Sequence, residues 1–196
     1  QFYDREAIVI PPPIDVERFA GDEPDEDFYL ILSRLSSYKR LDLAIEACRR
    51  LDRPLMVIGD GPARRALEAK AGPKTKFLGR QSDEAVARYA GRCRALIFPG
   101  EEDFGMTPLE INSAGRPVIA YGAGGAQETV VAGRTGVFFR EQTPESLIEA
   151  IEEFESLEWC RQTLRRHAEK FTRNVFAARI HEFVSRVAPL GAAGET

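Results

Sequence analysis

Short apolar runs alternate along this chain with longer stretches of helical periodicity. Phe28-Tyr29-Leu30-Ile31-Leu32-Ser33 is apolar throughout and too short for a helix, so it reads as a first strand. Leu41, Ala44, Ile45, Cys48 and Leu51 recur at helical spacing, with Arg49 and Arg50 near the favourable C-terminal end of that helix. Leu55-Met56-Val57-Ile58 is a second strand, closed by Gly59-Asp60-Gly61-Pro62 and followed by a helix over 63–71. Thr75 to Leu78 is a third strand, and Ser82 is a candidate cap for a helix reaching Tyr89, with Asp83 and Glu84 in its first turn. Ala95-Leu96-Ile97-Phe98, Pro117 to Tyr121 and Gly136-Val137-Phe138-Phe139 complete the strands, separated by helices that include one after Gly125 and one from Thr143-Pro144-Glu145.

These strands lack polar alternation, so both of their faces are expected to be buried. With helices between them, they predict an α/β fold: a Rossmann-like, doubly wound parallel sheet of six strands in the order 3-2-1-4-5-6, with right-handed crossovers. The expected organisation is a lead-in over 1–27, a ligand-binding domain over 28–155, helices over 156–190 packed around the sheet, and a frayed tail over 191–196. Pro11-Pro12-Pro13 predicts an extended linker, and the acidic run from Asp22 to Asp27 predicts a solvated loop.

Composition narrows the function. With 27 Lys and Arg against 31 Asp and Glu, the net charge of -4 argues against bulk nucleic-acid binding but allows a local basic pocket. Cys48, Cys93 and Cys160 lie far apart in stretches that read as helix, with no Cys-x-x-Cys pair, so neither a zinc site nor a disulfide framework is signalled. A reduced, cytoplasmic setting is expected. No apolar run is long enough to cross a bilayer. The chain opens at Gln1 rather than Met, and we read it as a piece of a longer protein.

An open parallel sheet binds ligands beyond the carboxyl ends of its strands. The loops that follow strands one, two, four and five hold Arg34 and Lys39, Gly59 to Pro62, Gly100 to Pro108, and Gly122 to Gly125. Two cations at a helix start oppose its dipole, which suggests that an external anion completes the site; solvated charge paired with Asp42 or the acidic loop is the alternative. Gly59-Asp60-Gly61-Pro62 lacks the features of a P-loop or a dinucleotide fingerprint, and Asp60 could cap the next helix. Glu102 and Glu110 could each accept hydrogen bonds from neighbouring sugar hydroxyls. Glu110 has a rival reading, because Thr107-Pro108-Leu109-Glu110 fits a capping box with Thr at N-cap, Pro at N1 and Glu at N3. Gly122-Ala123-Gly124-Gly125 either admits a ligand close to the backbone or is a flexible loop. Glu128 reads as a first-turn stabiliser, and His167 and His181 as non-catalytic.

In their order these segments resemble a known family. Ser33-Arg34-Leu35-Ser36-Ser37-Tyr38-Lys39-Arg40-Leu41-Asp42, Gly59-Asp60-Gly61-Pro62, Phe77-Leu78-Gly79-Arg80 and Glu102-Asp103-Phe104-Gly105-Met106-Thr107-Pro108-Leu109-Glu110 resemble the donor-binding domain of family 4 glycosyltransferases of the GT-B fold; the last is similar to its E-x7-E signature. Gly115-Arg116-Pro117-Val118, Gly124-Gly125, Glu128 and Gly133 through Gly136 continue the series over roughly residues 8 to 140. The resemblance implies that Arg34 and Lys39 neutralise a diphosphate, Glu110 holds the ribose and Glu102 the donor sugar. It implies backbone contacts from Phe104, Gly105, Met106 and Thr107 to sugar and diphosphate, and from Leu78, Gly79 and Arg80 to the base. Gly59 and Leu109 are also placed at the donor site. It further implies retention of anomeric configuration, no bound metal and no other cofactor. The donor would be a nucleotide sugar, GDP-mannose favoured and a UDP-sugar the alternative. The acceptor, a glycan or lipid-linked acceptor, would be taken largely from an N-terminal lobe absent from this chain. The whole protein would be cytoplasmic or peripheral at the inner membrane, and this chain alone inactive. A nucleotide-sugar-binding module without chemistry and a sugar-nucleotide epimerase are the competing readings. One departure stands out: Ile111-Asn112-Ser113 follows Glu110 where the family has small or apolar residues, so different local packing is expected.

Overall fold

The structure, a computed structural model, describes residues 7–187. Six strands, β1 (Tyr29–Leu32), β2 (Leu55–Ile58), β3 (Thr75–Gly79), β4 (Ala95–Phe98), β5 (Val118–Tyr121) and β6 (Gly136–Phe139), form one sheet in the order β3-β2-β1-β4-β5-β6. Every adjacent pair is parallel. The helices are α1 (Leu41–Arg50), α2 (Arg64–Glu68), α3 (Asp83–Arg92), α4 (Met106–Ser113), α5 (Ala126–Thr129), α6 (Pro144–Glu155), α7 (Arg161–Ala168) and α8 (Arg173–Val187). Strand order reverses between β1 and β4, which leaves a crevice beyond their carboxyl ends.

The missing polar alternation has its expected cause. Tyr29, Ile31, Val57, Ile97, Ile119 and Val137 face one layer, against Leu41, Ile45 and Cys48 of α1 and Leu147 and Ile151 of α6. Leu30, Ile58, Leu96, Val118 and Ala120 face the other, against Val86 and Ala90 of α3 and Ile111 of α4. Successive strand residues point to opposite faces, so a sheet covered on both sides needs an apolar residue at every position. Ser82 Oγ accepts from the Ala85 amide at 3.3 Å, and Thr143 Oγ1 from the Ser146 amide at 3.2 Å with Pro144 opening α6, as the sequence predicts. Helix α2 is shorter than expected, because the turn before it brings the Ala63 amide to the Leu35 carbonyl at 2.9 Å.

The polar pair after Glu110 is only partly satisfied inside the core, since the buried Asn112 Oδ1 has no hydrogen-bond partner among the described residues. Asn112 is fully buried; its Nδ2 donates to the carbonyls of Arg116 at 2.9 Å and Thr135 at 3.2 Å, joining the end of α4 to the approach to β6. Ser113 Oγ donates to the Glu110 carbonyl at 2.7 Å. Cys48 and Cys93 are buried, whereas Cys160 is exposed and precedes α7 as its N-cap.

One expectation fails. The helices after residue 156 do not all pack on the sheet. Helix α7 packs mainly against α4, burying Leu164 and Ala168, and α8 buries none of its residues, with Ile180, Val184 and Val187 exposed. Helical periodicity marks an apolar face without naming what covers it. The expected tail over 191–196 lies outside the described residues.

The acidic run, expected to be a solvated loop, is exposed but tied down along its length. Arg165 pairs with Asp22 at 2.8 Å, Arg92 with Glu23 at 2.8 Å and Glu26 at 3.1 Å, and Arg94 with Asp27 at 3.0 Å. Asp25 accepts from Arg161 and from Arg116 at 2.6 Å; the Arg116 side chain is 7% exposed and also donates to the Gly91 carbonyl at 2.7 Å. These bonds lower the pKa values of Asp22, chiefly through Arg165, and of Asp25, chiefly through Arg116. A carboxylate with a depressed pKa stabilises the fold above its unfolded pKa and loses that contribution as pH falls through the folded value. Asp25→Asn is therefore expected to lower Tm at neutral pH by about 2–4 °C, corresponding to at most about 1 kcal/mol because the carboxylate is largely solvated. The difference from the unmodified chain should close on acidification below the ordinary aspartate range, as thermal melts across pH will show.

Candidate functional site

Four loops meet beyond the carboxyl ends of β1, β2, β4 and β5, and they meet in two pairs. The loop after β1 binds the loop after β2: the Leu35 amide donates to the Asp60 carbonyl at 3.1 Å. Gly59 makes this approach possible, since its φ is +130° and a Cβ there would lie 1.9 Å from the Ser33 carbonyl oxygen. The loop after β4 binds the loop after β5: the Gly125 amide donates to the Glu102 carbonyl at 2.7 Å, and a Cβ on Gly125 would fall 2.1 Å from Phe104 Cα. The glycines of 122–125 thus admit a neighbouring protein loop, and the flexible-loop alternative fails.

Two clefts open between these loops. One of about 720 Å³ is lined by Ser33, Arg34, Gly59, Asp60, Arg80 and Thr107, with Leu32, Ile58 and Gly61 behind them. The other, about 740 Å³, is lined by Tyr38, Arg40, Glu101, Glu102, Asp103 and Glu128, with Gly124 and Gln142. Arg34 and Arg80 are exposed and give the first cleft a cationic wall. Lys39 is not solvated surface charge. It ends a short 3-10 turn, Ser37–Lys39, and its Nζ is ion-paired with Glu102, the two side chains being 16% and 20% exposed. Arg40, at φ 51° before α1, is the residue that meets Asp42, at 3.5 Å. The structure therefore places Arg34 in one cleft and the Lys39–Glu102 pair at the other.

Glu110 is not part of a capping box. Gly105, at φ 83°, is the N-cap of α4, so Met106 is the first helical residue and Thr107 and Pro108 the second and third. Sequence spacing started the helix two residues late, because the left-handed Gly105 opens it and proline is tolerated anywhere in a first turn whose amides lack intrahelical partners. The Glu110 carboxylate then sits half-buried with no hydrogen-bond partner among the described residues. Burial raises its pKa, against a lowering by Arg18 and a further raising by Asp83. Arg18 is itself bound to Asp83 at 2.9 Å, a pair 65 residues apart that no sequence signal announces.

Leu109 is fully buried against Ile14 and Ala168 and turns its side chain away from the clefts; Phe104 joins the same cluster, its ring 6.1 Å from that of Phe171. Met106 is exposed at the mouth of the loop and Leu78 is half-buried. Gly79, at φ 69°, accepts from the Gly59 amide at 2.8 Å. Asp60 does not cap α2, whose N-cap is Ala63; its Oδ1 accepts from the Gly61 amide at 2.8 Å. His167 Nε2 lies 2.9 Å from the Thr129 carbonyl, and burial lowers its pKa. No group of three His, Cys, Asp or Glu side chains is arranged to hold a metal among the described residues. No helix among them is long and apolar enough to cross a membrane.

The family model for group 1 glycosyl transferases matches residues 14–175. The chain belongs to that family. An uncharacterized glycosyltransferase of Methanocaldococcus jannaschii is 31% identical over 172 residues, covering 85% of this chain and 49% of the relative. An O-antigen chain mannosyltransferase of Escherichia coli is 26% identical over 160 residues, 75% of this chain and 43% of the relative. Among solved structures, an Anabaena protein in complex with UDP and glucose superposes with a TM-score of 0.76 at 20% identity, covering 91% of this chain and 56% of that one. The chain spans about half the length of the curated relatives it matches.

Within this glycosyl transferase domain the contact between the loops after β4 and β5 admits no side chain. Gly125→Ala is expected to cost about 1–3 kcal/mol, a Tm loss of about 2–12 °C, because the Phe104 backbone must move to admit the methyl group. Gly21→Ala is the control, since a Cβ there meets nothing closer than 3.9 Å. Calorimetric melts of both variants measure the difference.

Proposed function

We propose that this chain is the donor-binding lobe of a retaining family 4 glycosyltransferase of the GT-B type. The observation that carries the reading is the cationic cleft of Arg34 and Arg80 lying next to the Lys39–Glu102 pair, at the switch point of a parallel sheet. The nucleoside occupies the first cleft, with its ribose on Glu110 and its base near Leu78 to Arg80. The diphosphate passes Arg34 and Lys39, and the sugar reaches Glu102 at the second cleft. Arg34 and Lys39 stabilise the charge that develops on the departing diphosphate, so neither a carboxylate nucleophile nor a bound metal is required. The matched mannosyltransferase supports GDP-mannose as donor; the Anabaena structure, which holds UDP, supports a UDP-sugar as the alternative. The acceptor, a glycan or a lipid-linked saccharide, is taken by a second lobe.

Glu110 and Lys39 are expected to fail differently. As a ribose ligand, the Glu110 carboxylate accepts two charge-assisted hydrogen bonds, so Glu110→Gln should weaken GDP and guanosine binding alike by roughly 10- to 100-fold, about 1.4–2.8 kcal/mol. Lys39→Ala should weaken GDP far more than guanosine, because its contact is with phosphate. Calorimetric titration of both variants with both ligands is the test, and GDP binding by Glu110→Gln at the original affinity would remove Glu110 from the site.

The length of the relatives supports a two-lobed enzyme. We expect this chain by itself to bind GDP or UDP and to transfer no sugar. Sustained transfer of mannose from GDP-mannose to an acceptor by this chain alone, followed with radiolabelled donor, would remove the need for a second lobe.

A further inference from the structure

An anion that reaches Lys39 meets a carboxylate already there. The ammonium is ion-paired with Glu102 and lies 5.0 Å from the centre of the Tyr38 ring. The backbone behind each partner is held in place. The Glu102 carbonyl accepts the Gly125 amide at 2.7 Å, and a Cβ on Gly124 would come within 2.5 Å of that same oxygen. Across the pair, a Cβ on Gly100 would lie 3.0 Å from Lys39 Cα, so the backbones that carry the two charges are wedged together. Three loops therefore hold one cation and one anion side by side, where a phosphate would need only the cation.

Charge then separates two related ligands. A nucleoside diphosphate ends in a free terminal phosphate, which carries nearly two negative charges at neutral pH. In a nucleotide sugar the same phosphate is esterified and carries one, and the attached sugar brings hydroxyls that donate to a carboxylate. Glu102 repels the first ligand more strongly and can bond the second. We propose that Glu102 is a specificity-determining residue: held against Lys39, it makes the site favour the sugar-bearing donor over the bare nucleoside diphosphate that transfer leaves behind. The proposal rests on the reading that Arg34 and Lys39 receive a diphosphate.

The test is calorimetric titration of this chain and of Glu102→Gln with GDP and GDP-mannose, and in parallel with UDP and UDP-glucose. Neutralising residue 102 is expected to tighten the bare diphosphate about three- to tenfold, corresponding to about 0.7–1.4 kcal/mol, while the nucleotide sugar binds no more tightly than before. Glu102→Ala should move the ratio of the two affinities in the same direction, which guards against a local effect of the amide, and melting curves establish that both variants are folded. If the unmodified chain binds none of the four ligands, the donor-site reading fails and this inference with it. If it binds them and neither variant changes the ratio, or the bare diphosphate weakens as much as the nucleotide sugar, the donor-site reading stands and the role of Glu102 is overturned.

Discussion

The Gly125 amide and the Glu102 carbonyl meet at 2.7 Å, a distance two loops can hold only where no side chain stands between them. That contact sets where the loop after β4 runs. It fixes the carboxylate of Glu102 against Lys39 and points the ring of Phe104 down toward Phe171. A hydrogen bond of this kind contributes only about 1 kcal/mol, but the loop it positions carries Glu102 and leads into the helix that carries Glu110. The matching approach of Gly59 to Ser33 does the same for the cationic cleft. Backbone packing, more than any charged contact, assembles the site.

A second constraint works at the opposite end of the sheet. The lead-in must pass from Ile14, whose amide donates to the Phe171 carbonyl at 2.8 Å, to the start of β1. It does so along a row of arginines drawn from α3, α7 and the loops that precede β4 and β5. Each pair is weak by itself at a solvated surface. Arg116 differs, since its guanidinium is buried and needs the Asp25 carboxylate together with the Gly91 carbonyl. The lead-in therefore ties α7 to the sheet, and α7 in turn closes over α4 and Leu109. Glu110 thus sits on a helix clamped from the side away from the clefts.

Strand positions, sheet order and most helices were legible in the sequence, because burial on both faces leaves a continuous apolar run and a crossover helix leaves a period of 3.6. The ordered motifs resembled those of family 4 glycosyltransferases, and the chain belongs to the group 1 glycosyl transferase family. The start of α4 was misplaced because Thr-x-x-Glu is a local pattern that a left-handed glycine upstream can override; the helix opened at Met106 and freed Glu110 from a capping role. The partners of the acidic run and of Arg18 were not legible, for another reason. These partners lie 65 to 143 residues away, and charge carries no periodicity that could announce them.

By itself, then, the sequence determined the elements, their order and the identities of the residues in each loop, since those follow from local periodicity and from turns that only glycine and proline allow. Which charges meet was decided by the tertiary structure alone. Lys39 faces Glu102, Arg40 faces Asp42, and Arg34 stands apart in a different cleft because three loops from distant strands converge at one switch point. An ion pair across 63 residues depends on where two backbones are held, and that is set by packing throughout the sheet and its two covering layers.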